Sequence, residues 1–462
     1  MARRALRRAA QQLAPPAAEL EPGAWRLERD PLGRLCIDSV ALGDVAARFG
    51  TPVHVVDAVR LRENAARFVN CPTAHGGGVE TFYPYKANPV PGVLRALHQI
   101  GAGAEVASPY ELWLAKTLGV APGRIVFNCP IKPAGALRQA MELGVGLITV
   151  GSRQELPAIS AMARSLGKRP RIGIRVAVPG ATSHFGESTD DGSALQAFAE
   201  ALERPELDVV ALHAHPNAEL ATHDELRAFV AAVLRFAARL RTRLKLDLEV
   251  IDLGGNLVCP TVAQVSPIEA RVQMALGREA APPERRQLLS IEDYVGLATT
   301  QIEAHYKREG RPMPRVFVEP GRSMTSSAQL LMLGVVQVRP PDDSGVSTVV
   351  LDGGINVAEP LVGERHQVFA VSPRPNAEKR TYRLIGPTGA SNDLLYPSVV
   401  LPELQSGDTL AVMDSGAYFV PTSTTWSFPR PGIVMLDRGE LTLLRRAETF
   451  EDLVALDLLE AA

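Results

Sequence analysis

The feature that most constrains the fold of this 462-residue chain is a regular alternation of β-rich runs and helical segments between positions 53 and 321. The helical segments show a 3.6-residue apolar periodicity, as in Leu226, Val230, Val233 and Leu240. Strands that alternate with helices pair in parallel, and about eight such units favour a closed (β/α)8 barrel over the alternative, an open doubly wound sheet. The β-rich runs are 53–57, 81–87, 104–108, 124–128, 147–152, 171–178, 209–215, 248–255 and 315–321.

The pattern changes after Gly321, where β-rich runs follow one another with few helical segments between them. Apolar runs on both sides of Asp437-Arg-Gly-Glu440 predict a hairpin. We therefore predict a second, antiparallel β domain. The predicted domains are a flexible N-terminal extension (1–24), the N-terminal part of the β domain (25–52), the barrel (53–321), the C-terminal β domain (322–450) and a tail (451–462).

Composition excludes several classes of function. A net charge of -2 gives no electrostatic support for binding nucleic acid or an anionic membrane, and no run of 18 apolar residues could span a bilayer. The four cysteines lie far apart and form neither a disulfide framework nor a metal-ligand pair, so a reducing, cytoplasmic location is expected. The Arg-rich N-terminus fits a solvated helix, and an organelle transit peptide stays open as an alternative.

Lys86 stands near the end of a predicted strand, in the segment Phe-Tyr-Pro-Tyr-Lys-Ala-Asn (82–88). Barrel active sites lie at the carboxyl ends of the strands, and a lysine amine can form a Schiff base with an aldehyde cofactor. An isolated lysine is usually a solvated surface residue. A catalytic role for Lys86 is therefore indicated only if other motifs lie at the same end of the barrel.

Three further motifs end predicted strands. The segment 252–256 (Asp-Leu-Gly-Gly-Asn) can present glycine N–H groups to a phosphate, although turns use the same residues. In Glu319-Pro-Gly-Arg322 the carboxylate can keep a pyridine nitrogen protonated and the guanidinium can hold a phosphate. His213 and His215 share one face of a strand, but no third metal ligand is evident, so stacking or hydrogen bonding is favoured and no metal is assigned.

In order and spacing, these motifs resemble those of the fold type III pyridoxal-phosphate-dependent amino-acid decarboxylases, the family of diaminopimelate and ornithine decarboxylases. The resemblance covers about residues 43–446, nearly the whole chain. The motifs that carry it are the Lys86 segment, 101–105, 212–215, 252–255, 319–322, 352–354, 386–388, Asp393 and 414–418.

The resemblance implies an alanine-racemase-like barrel (a TIM barrel) plus a β domain, with pyridoxal 5'-phosphate as cofactor and a homodimer whose active sites lie at the subunit interface. The implied catalytic residues are Lys86, which would carry the cofactor as a Schiff base, His215, which would stack on its ring, and Glu319, which would hold the pyridine nitrogen. The implied cofactor-binding residues are Lys86, Glu105, Arg175, His215, Gly254, Gly255, Asn256, Glu319, Gly321, Arg322 and Tyr418.

The sequence departs from the family pattern on the substrate side. Gly389 and Ala390 stand where the family carries a proton-donating cysteine and an acidic residue, while Asp393 is kept. Glu359 stands where the diaminopimelate enzymes use an arginine to grip a carboxylate, and Glu364 follows closely. We assign all of these except Ala390 to the substrate side. Like-charge repulsion by Glu359 makes diaminopimelate an unexpected substrate.

The cofactor side departs as well. A family His-Ile-Gly-Ser segment becomes His215-Pro-Asn217-Ala, and the third glycine of the phosphate loop is Asn256. These changes remove a hydroxyl and a glycine, but asparagine side chains can also donate hydrogen bonds to a phosphate.

The sequence therefore predicts decarboxylation of an amino acid other than diaminopimelate, with a conjugated or carrier-bound amino acid favoured by the small residues Gly389 and Ala390. A pyridoxal-phosphate-dependent epimerase, an aldolase-type lyase and a carbon–carbon bond-forming enzyme are alternatives, because the family's proton donor is missing. A non-catalytic regulatory homologue is a further alternative, against which the retention of Lys86, Glu319 and Arg322 argues.

Overall fold

The computed structural model describes residues 20–71, 79–179, 185–216, 218–266, 268, 288–342 and 345–458. It forms two compact units, which we call the β unit (Met1–Leu61, Cys259–Arg285 and Thr325–Ala462) and the barrel unit (Arg62–Val258 and Arg286–Met324). Residues 1–19 of the expected N-terminal extension and 459–462 of the expected tail lie outside the described residues. Within the described residues, no helix is long and apolar enough to cross a membrane.

The barrel unit contains eight parallel strands that close on themselves through the pairing of the fourth strand with the fifth. This confirms the predicted (β/α)8 barrel and excludes the open sheet. The short strand Glu187–Ser188 pairs in parallel with the carboxyl end of the fifth strand. In chain order the barrel strands are Val79–Pro84, Gly103–Val106, Ile125–Phe127, Leu147–Val150, Arg171–Ala177, Asp208–Ala214, Val250–Asp252 and Arg315–Val318.

Helices connect and surround these strands, and several begin at a side chain that caps the free N–H groups of the first turn. Ser152 and Thr222 form capping boxes with Glu155 and Glu225, as their Ser/Thr-x-x-Glu spacing predicts. The α-helices are Ala58–Val69, Pro91–Ile100, Pro109–Thr117, Ala134–Leu143, Leu156–Leu166, Ser193–Leu202, His223–Leu244, Ile291–Arg308 and Arg322–Thr325. Short 3₁₀ helices cover Tyr85–Ala87, Pro122–Arg124 and Arg153–Glu155.

Strand register decides which residues point into the barrel. Side chains alternate between the two faces of a strand, and paired residues of neighbouring strands share a face. Phe82 pairs with Gly103, and Phe317 packs on Phe82 with 4.6 Å between ring centroids. The same inward positions form an apolar cluster with Val126, Leu147, Val210, Ala211 and Val250. Two residues further along the second to eighth strands, the inward positions come to the carboxyl end of the barrel.

The β unit is built on a mostly antiparallel sheet, which confirms the predicted second domain. Its parallel pairs are Ser347–Leu351 with Lys379–Ile385 and Val53–Asp57 with Gly432–Asp437. The expected hairpin joins Gly432–Asp437 to Glu440–Arg445. The other strands are Glu28–Arg29, Leu35–Ile37, Val40–Ala41, Ala263–Gln264, Gln329–Val338, Glu364–Arg365, Val368–Ala370, Leu394–Pro402 and Thr409–Val412. The helices are Pro22–Trp25, Leu42–Phe49, Ser326–Ala328, Ile355–Ala358, Glu359–Val362, Phe419–Thr422 and Phe450–Leu453, of which the first, third and fifth are 3₁₀.

The strand Val53–Asp57 lies elsewhere than its place in the alternating series suggests. It is a strand, but it pairs with Gln329–Val338 and Gly432–Asp437 in the β unit. All five of its residues are buried, because both edges are paired and both faces are covered. The first barrel strand is therefore Val79–Pro84. A strand that is buried on both faces is a continuous apolar run in the sequence, and such a run does not indicate which sheet the strand belongs to.

Candidate active site

Each of the eight barrel strands delivers one polar or charged side chain to the inside of the barrel at its carboxyl end. For seven of them the alternation described above requires this placement, since each continues the inward face of its strand above the apolar cluster, and the eighth, Lys86, lies in the turn after the first strand. We call these eight side chains the polar ring. Its members, in chain order, are Lys86, Glu105, Asn128, Thr149, Arg175, His213, Asp252 and Glu319.

Lys86 lies in the 3₁₀ turn Tyr85–Ala87 that directly follows the first barrel strand. Its Nζ is 3.7 Å from the Oε2 of Glu105 on the second strand, and its side chain is 43% exposed while that of Glu105 is fully buried. Burial raises the pKa of Glu105 to about 7, against the opposing effect of the Lys86 charge. The amine is thus accessible and stands beside a carboxyl group that can exchange a proton near neutral pH.

Glu319 follows the last barrel strand and contacts polar groups of three other strands. Its Oε1 accepts a long hydrogen bond of 3.5 Å from the Nδ2 of Asn128, and its Oε2 lies 3.6 Å from the Nε2 of His213. Asp252, on the neighbouring strand, is also fully buried. Burial and the Glu319 carboxylate raise the pKa of Asp252 well above its usual range. Burial lowers the pKa of His213 well below its usual range, so this imidazole is neutral.

No third metal ligand is evident in the sequence beside the two histidines, but the structure brings two carboxyl groups to one of them. One oxygen each of Asp252 and Glu319 and one ring nitrogen of His213 lie within 4.8 Å of one another. These donors have the composition of a metal site. They also belong to the polar ring, and His215 is outside the group.

His215 and the glycines after the seventh strand form a tightly packed loop. The Nδ1 of His215 donates to the Pro216 carbonyl at 2.8 Å, and burial lowers the pKa of the ring to about 3, which keeps the imidazole neutral. A Cβ at Gly254 would lie 2.6 Å from the ring carbon Cδ2 of His215, and one at Gly255 would lie 2.3 Å from the Glu319 carbonyl oxygen. Only glycine fits at these two positions, so the loop backbone can approach a ligand closely.

Asn256 stands where the family pattern has a third glycine, and its backbone adopts a conformation typical of glycine. It has a φ of 70°, in the left-handed region that asparagine tolerates better than most residues. Its Nδ2 donates to the Pro216 carbonyl at 3.0 Å. The side chain therefore ties the loop to the segment after His215. Asn217, the other expected hydrogen-bond donor, lies outside the described residues.

Gly321 and Arg322 follow Glu319 at the start of the short helix Arg322–Thr325. A Cβ at Gly321 would lie 3.0 Å from Pro84 and 3.2 Å from Ala87, so this backbone packs closely on the turn that carries Lys86. Arg175, on the fifth strand, lies among the carboxyl groups, and burial lowers its pKa against the opposing effects of Glu319, Glu105 and Asp252. Its guanidinium lies 5.8 Å from the centre of the Phe185 ring.

These residues fit a bound pyridoxal phosphate. Several buried polar atoms of the polar ring have no hydrogen-bond partner among the described residues, including both ring nitrogens of His213, one oxygen of Asp252 and one oxygen of Glu319. Buried polar groups are normally satisfied, so unsatisfied ones concentrated at one end of a barrel are typical of a ligand site. An accessible lysine, a carboxylate pair and a glycine loop are the groups that this cofactor requires.

The remaining expected site residues lie in the β unit. Tyr418 is partly buried, with a left-handed φ of 69°, at the start of the short helix Phe419–Thr422. Gly389 also has a positive φ, of 73°, and a Cβ there would meet no atom within 4 Å. The carboxylate of Asp393 accepts hydrogen bonds from the N–H groups of Ile355 and Thr388 and from the Thr388 hydroxyl, so it organises its own loop.

Glu359 and Glu364 occupy different environments within the β unit. Glu359 is exposed at the first position of the 3₁₀ helix Glu359–Val362. The side chain of Glu364 is only 11% exposed, and its Oε2 lies 3.0 Å from the Nε2 of the buried His366. The Nδ1 of His366 donates to the Met413 carbonyl at 2.8 Å. Glu364 is therefore paired inside the β unit.

The sequence analysis gives no role to five buried polar groups that the structure brings to this end of the barrel. Asn128 and Thr149 each stand alone in an apolar run, and inward alternation from Val126 and Leu147 could have identified them. Asp252 lies in a quoted motif, but only three-dimensional pairing places it beside Glu319. Tyr294 and Glu111 come from helices, and burial raises the pKa of both, that of Glu111 to about 7.

Comparison with known proteins connects this site to one family. Residues 61–326 match the family model described as "Pyridoxal-dependent decarboxylase, pyridoxal binding domain". A diaminopimelate decarboxylase of Zymomonas mobilis is 27% identical over 91% of this chain and 96% of that protein. One of Aquifex aeolicus is 28% identical over 91% and 95%. The crystal structure of diaminopimelate decarboxylase from M. jannaschii with L-lysine has the same fold, with a TM-score of 0.83, 24% identity and coverage of 94% of this chain and 98% of that chain.

These comparisons contradict the expectation that the substrate is an amino acid other than diaminopimelate. Relatives named diaminopimelate decarboxylase match more than nine tenths of the chain. The argument from Glu359 is wrong in its physical premise as well. Like-charge repulsion is strong only where charges are desolvated, and Glu359 is exposed to water, which screens it. The inference from Gly389 and Ala390 to a conjugated or carrier-bound substrate is withdrawn with it.

Proposed function

The chain belongs to the family of pyridoxal-dependent decarboxylases, and from that premise we propose that it removes one carboxylate of diaminopimelate, with Lys86 holding the cofactor. As a member of this family it is a pyridoxal-phosphate-dependent carboxy-lyase that acts on an amino acid. The observation that carries the proposal is the polar ring, in which an accessible lysine, buried carboxyl groups and an arginine meet at the carboxyl end of the barrel beside a glycine loop.

Bound pyridoxal phosphate supplies a ring that accepts the electron pair left behind when carbon dioxide departs. In this proposal Lys86 would hold the cofactor through Nζ. Glu319 would accept a hydrogen bond from the ring nitrogen, and its burial would strengthen that contact. His215, which is neutral and held by the Pro216 carbonyl, would support the ring face.

Glu105 has a further role in this proposal, which is to move a proton. It stands 3.7 Å from the Lys86 amine, and burial raises its pKa to about 7. A carboxyl group with such a pKa can take a proton from the amine and return it at neutral pH. Gly254, Gly255, Gly321 and Arg322 hold the phosphate, with Tyr418 as a further phosphate contact.

The attachment of the cofactor is tested by chemical reduction. Borohydride should remove the visible absorbance of the bound cofactor and leave the label on the peptide that contains Lys86. Lys86→Ala should retain no covalent label, whereas Lys116→Ala, which removes an exposed lysine from the helix Pro109–Thr117, should label like the native protein. A label on another lysine in the native protein would disprove this assignment.

The substrate is tested by incubating the holoenzyme with diaminopimelate, lysine and ornithine in parallel and analysing the products by mass spectrometry. We expect carbon dioxide and lysine from diaminopimelate, and much slower turnover of the two amine-tailed amino acids. Preferred turnover of lysine or ornithine would contradict the proposal that diaminopimelate is the substrate, but it would still agree with decarboxylation. A product that retains both carboxylates would contradict decarboxylation itself.

Assembly and location complete the proposal. We infer a homodimer, because the family resemblance places active sites at a subunit interface, and a cytoplasmic location. The four cysteines are free thiols, which supports a reducing compartment. Diaminopimelate is a small molecule, so the proposed substrate requires no protein or nucleic-acid partner.

A further inference from the structure

Asp252 and Glu319 end neighbouring strands of the barrel and place two carboxyl groups side by side in its interior. Asp252 is fully buried and Glu319 is 3% exposed. One oxygen of each lies within 4.8 Å of the other and of a His213 ring nitrogen. Two adjacent carboxylates cannot both remain ionised at low dielectric, because each disfavours the charge on the other. The pair therefore retains a proton.

The hydrogen bonds around the pair indicate which carboxyl group holds it. The Gly254 N–H donates to the Oδ1 of Asp252 at 3.0 Å, which leaves Oδ2 buried without a donor among the described residues. Glu319 receives the Asn128 amide at Oε1, while its Oε2 has no donor. A proton on the Asp252 carboxyl group would let it donate a hydrogen bond to Glu319, and a hydrogen bond between these two side chains also contributes to the raised pKa of Asp252.

Charges on the surrounding elements support the same assignment. The Arg175 guanidinium faces the carboxyl groups of Glu319, Glu105 and Asp252, and the Lys86 amine faces that of Glu105, so two cations stand against three acids. Burial and the neighbouring Glu319 charge hold the pKa of Asp252 well above its usual range. The titratable and charged groups that face Asp252 are Glu105, Arg175, His213, Tyr294 and Glu319.

We propose that Asp252 is a positioning residue that stays neutral and donates its carboxyl proton in a hydrogen bond to Glu319, which remains ionised toward the cofactor. This inference rests on the proposed role of Glu319 at the ring nitrogen. An ionised Glu319 can hold a proton on that nitrogen, whereas a protonated one cannot accept the same hydrogen bond as strongly. Asp252 thus orients Glu319 and protects its charge without touching the cofactor.

Infrared spectroscopy of the holoenzyme tests the protonation state directly, since the C=O stretch of a neutral carboxyl group is separate from the bands of carboxylates. At pH ~9, Glu105 and Glu111 are ionised because burial raises their pKa values only to about 7. We expect a neutral-carboxyl band that persists at this pH, shifts in D2O and disappears in Asp252→Asn. Glu105→Gln and Glu111→Gln should keep it.

A second measurement follows the pH titration of the visible absorbance of the bound cofactor. The amide of Asp252→Asn can still donate to Glu319, so its midpoint should stay close to that of the native enzyme. Asp252→Ala removes the donor, and its midpoint should shift by about one pH unit or more. Thermal unfolding of both variants shows whether they fold.

Three results would overturn the inference. They are the absence of a neutral-carboxyl band at high pH, a band that survives in folded Asp252→Asn, and equal absorbance midpoints in the Asn and Ala variants. None of these measurements needs a substrate. If the holoenzyme shows the band but does not release carbon dioxide from diaminopimelate, the proposed function fails while the inference about Asp252 stands.

Discussion

The loop after the seventh barrel strand leaves no room for side chains at two of its residues. A Cβ at Gly255 would lie 2.3 Å from the Glu319 carbonyl oxygen, which belongs to the backbone and cannot rotate away. Gly254 has a φ of 63° and faces the ring of His215. The positions of His215 and Glu319 are therefore set by glycines, and a single methyl group would move them.

We expect Gly255→Ala to weaken cofactor binding at least tenfold and to destabilise the fold by about 1–3 kcal/mol, as overpacking commonly does. Gly296→Ala is the matched control, because Gly296 lies in the helix Ile291–Arg308 and a Cβ there meets nothing within 4 Å. It should be neutral or stabilising by about 0.5–1 kcal/mol. Equilibrium dialysis against pyridoxal phosphate and urea unfolding measure both quantities. Unchanged affinity in Gly255→Ala would mean that the loop does not hold the phosphate.

Some residues of the site can be predicted from the sequence and others cannot, for physical reasons. Lys86 and Glu319 follow from motifs in the sequence, Glu105 and Arg175 follow from the family resemblance, and strand register places Glu105 and Arg175 inside the barrel. The proximity of Asp252 to Glu319 depends on which strands are neighbours, which a single sequence does not state. The inference from Glu359 to substrate choice failed because its exposure, which decides the strength of its charge, is not visible in the sequence.

The N-terminal cap of the helix Pro109–Thr117 includes a carboxyl group, that of Glu111, which interacts with the polar ring. The hydroxyl of Ser108 accepts a hydrogen bond from the Glu111 N–H, as the Ser-x-x-Glu spacing predicts, but the Glu111 carboxylate accepts from the Ala107 N–H at 2.6 Å. The carboxyl group is buried, and burial raises its pKa to about 7. Glu105 is a smaller cause of the same shift, so the cap and the polar ring are electrostatically connected.

This cap should make stability depend on pH in a defined window. The unfolded chain releases the Glu111 proton near pH 4.5, while the folded protein holds it to about pH 7. Between these values the native state binds more protons, so its free energy of unfolding falls as pH rises, by up to about 3 kcal/mol. Glu111→Gln lacks this pH dependence. Its free energy of unfolding should therefore rise relative to that of the native protein as the pH is raised from 5 to 8.

Urea unfolding of both proteins at the two pH values measures the difference, and effects of all other groups cancel in it. Glu142→Gln, a change on the exposed face of the helix Ala134–Leu143, supplies the baseline. A native–variant difference that is the same at both pH values would show that the Glu111 carboxyl group is not held neutral by burial.

At the scale of whole molecules, the resemblance implies that the active protein is a homodimer. We expect sedimentation at micromolar concentration to give twice the mass of the 49.6 kDa chain. We also expect specific activity to fall on dilution through the dissociation range, because each site would lose residues of its partner. A monomer that keeps full specific activity would show that each active site is complete within one chain.

The interleaving of the two units constrains how the chain can fold as it is synthesised. The β unit takes its segments from the beginning, the middle and the end of the chain. Within the part of the chain that the structure describes, the buried strand Val53–Asp57 pairs with Gln329–Val338 and Gly432–Asp437. At a ribosomal rate of about 5–20 residues per second, this strand leaves the ribosome many seconds before its partners exist. Its five buried residues must stay out of aggregates during that interval, which makes the nascent chain a natural client of chaperones.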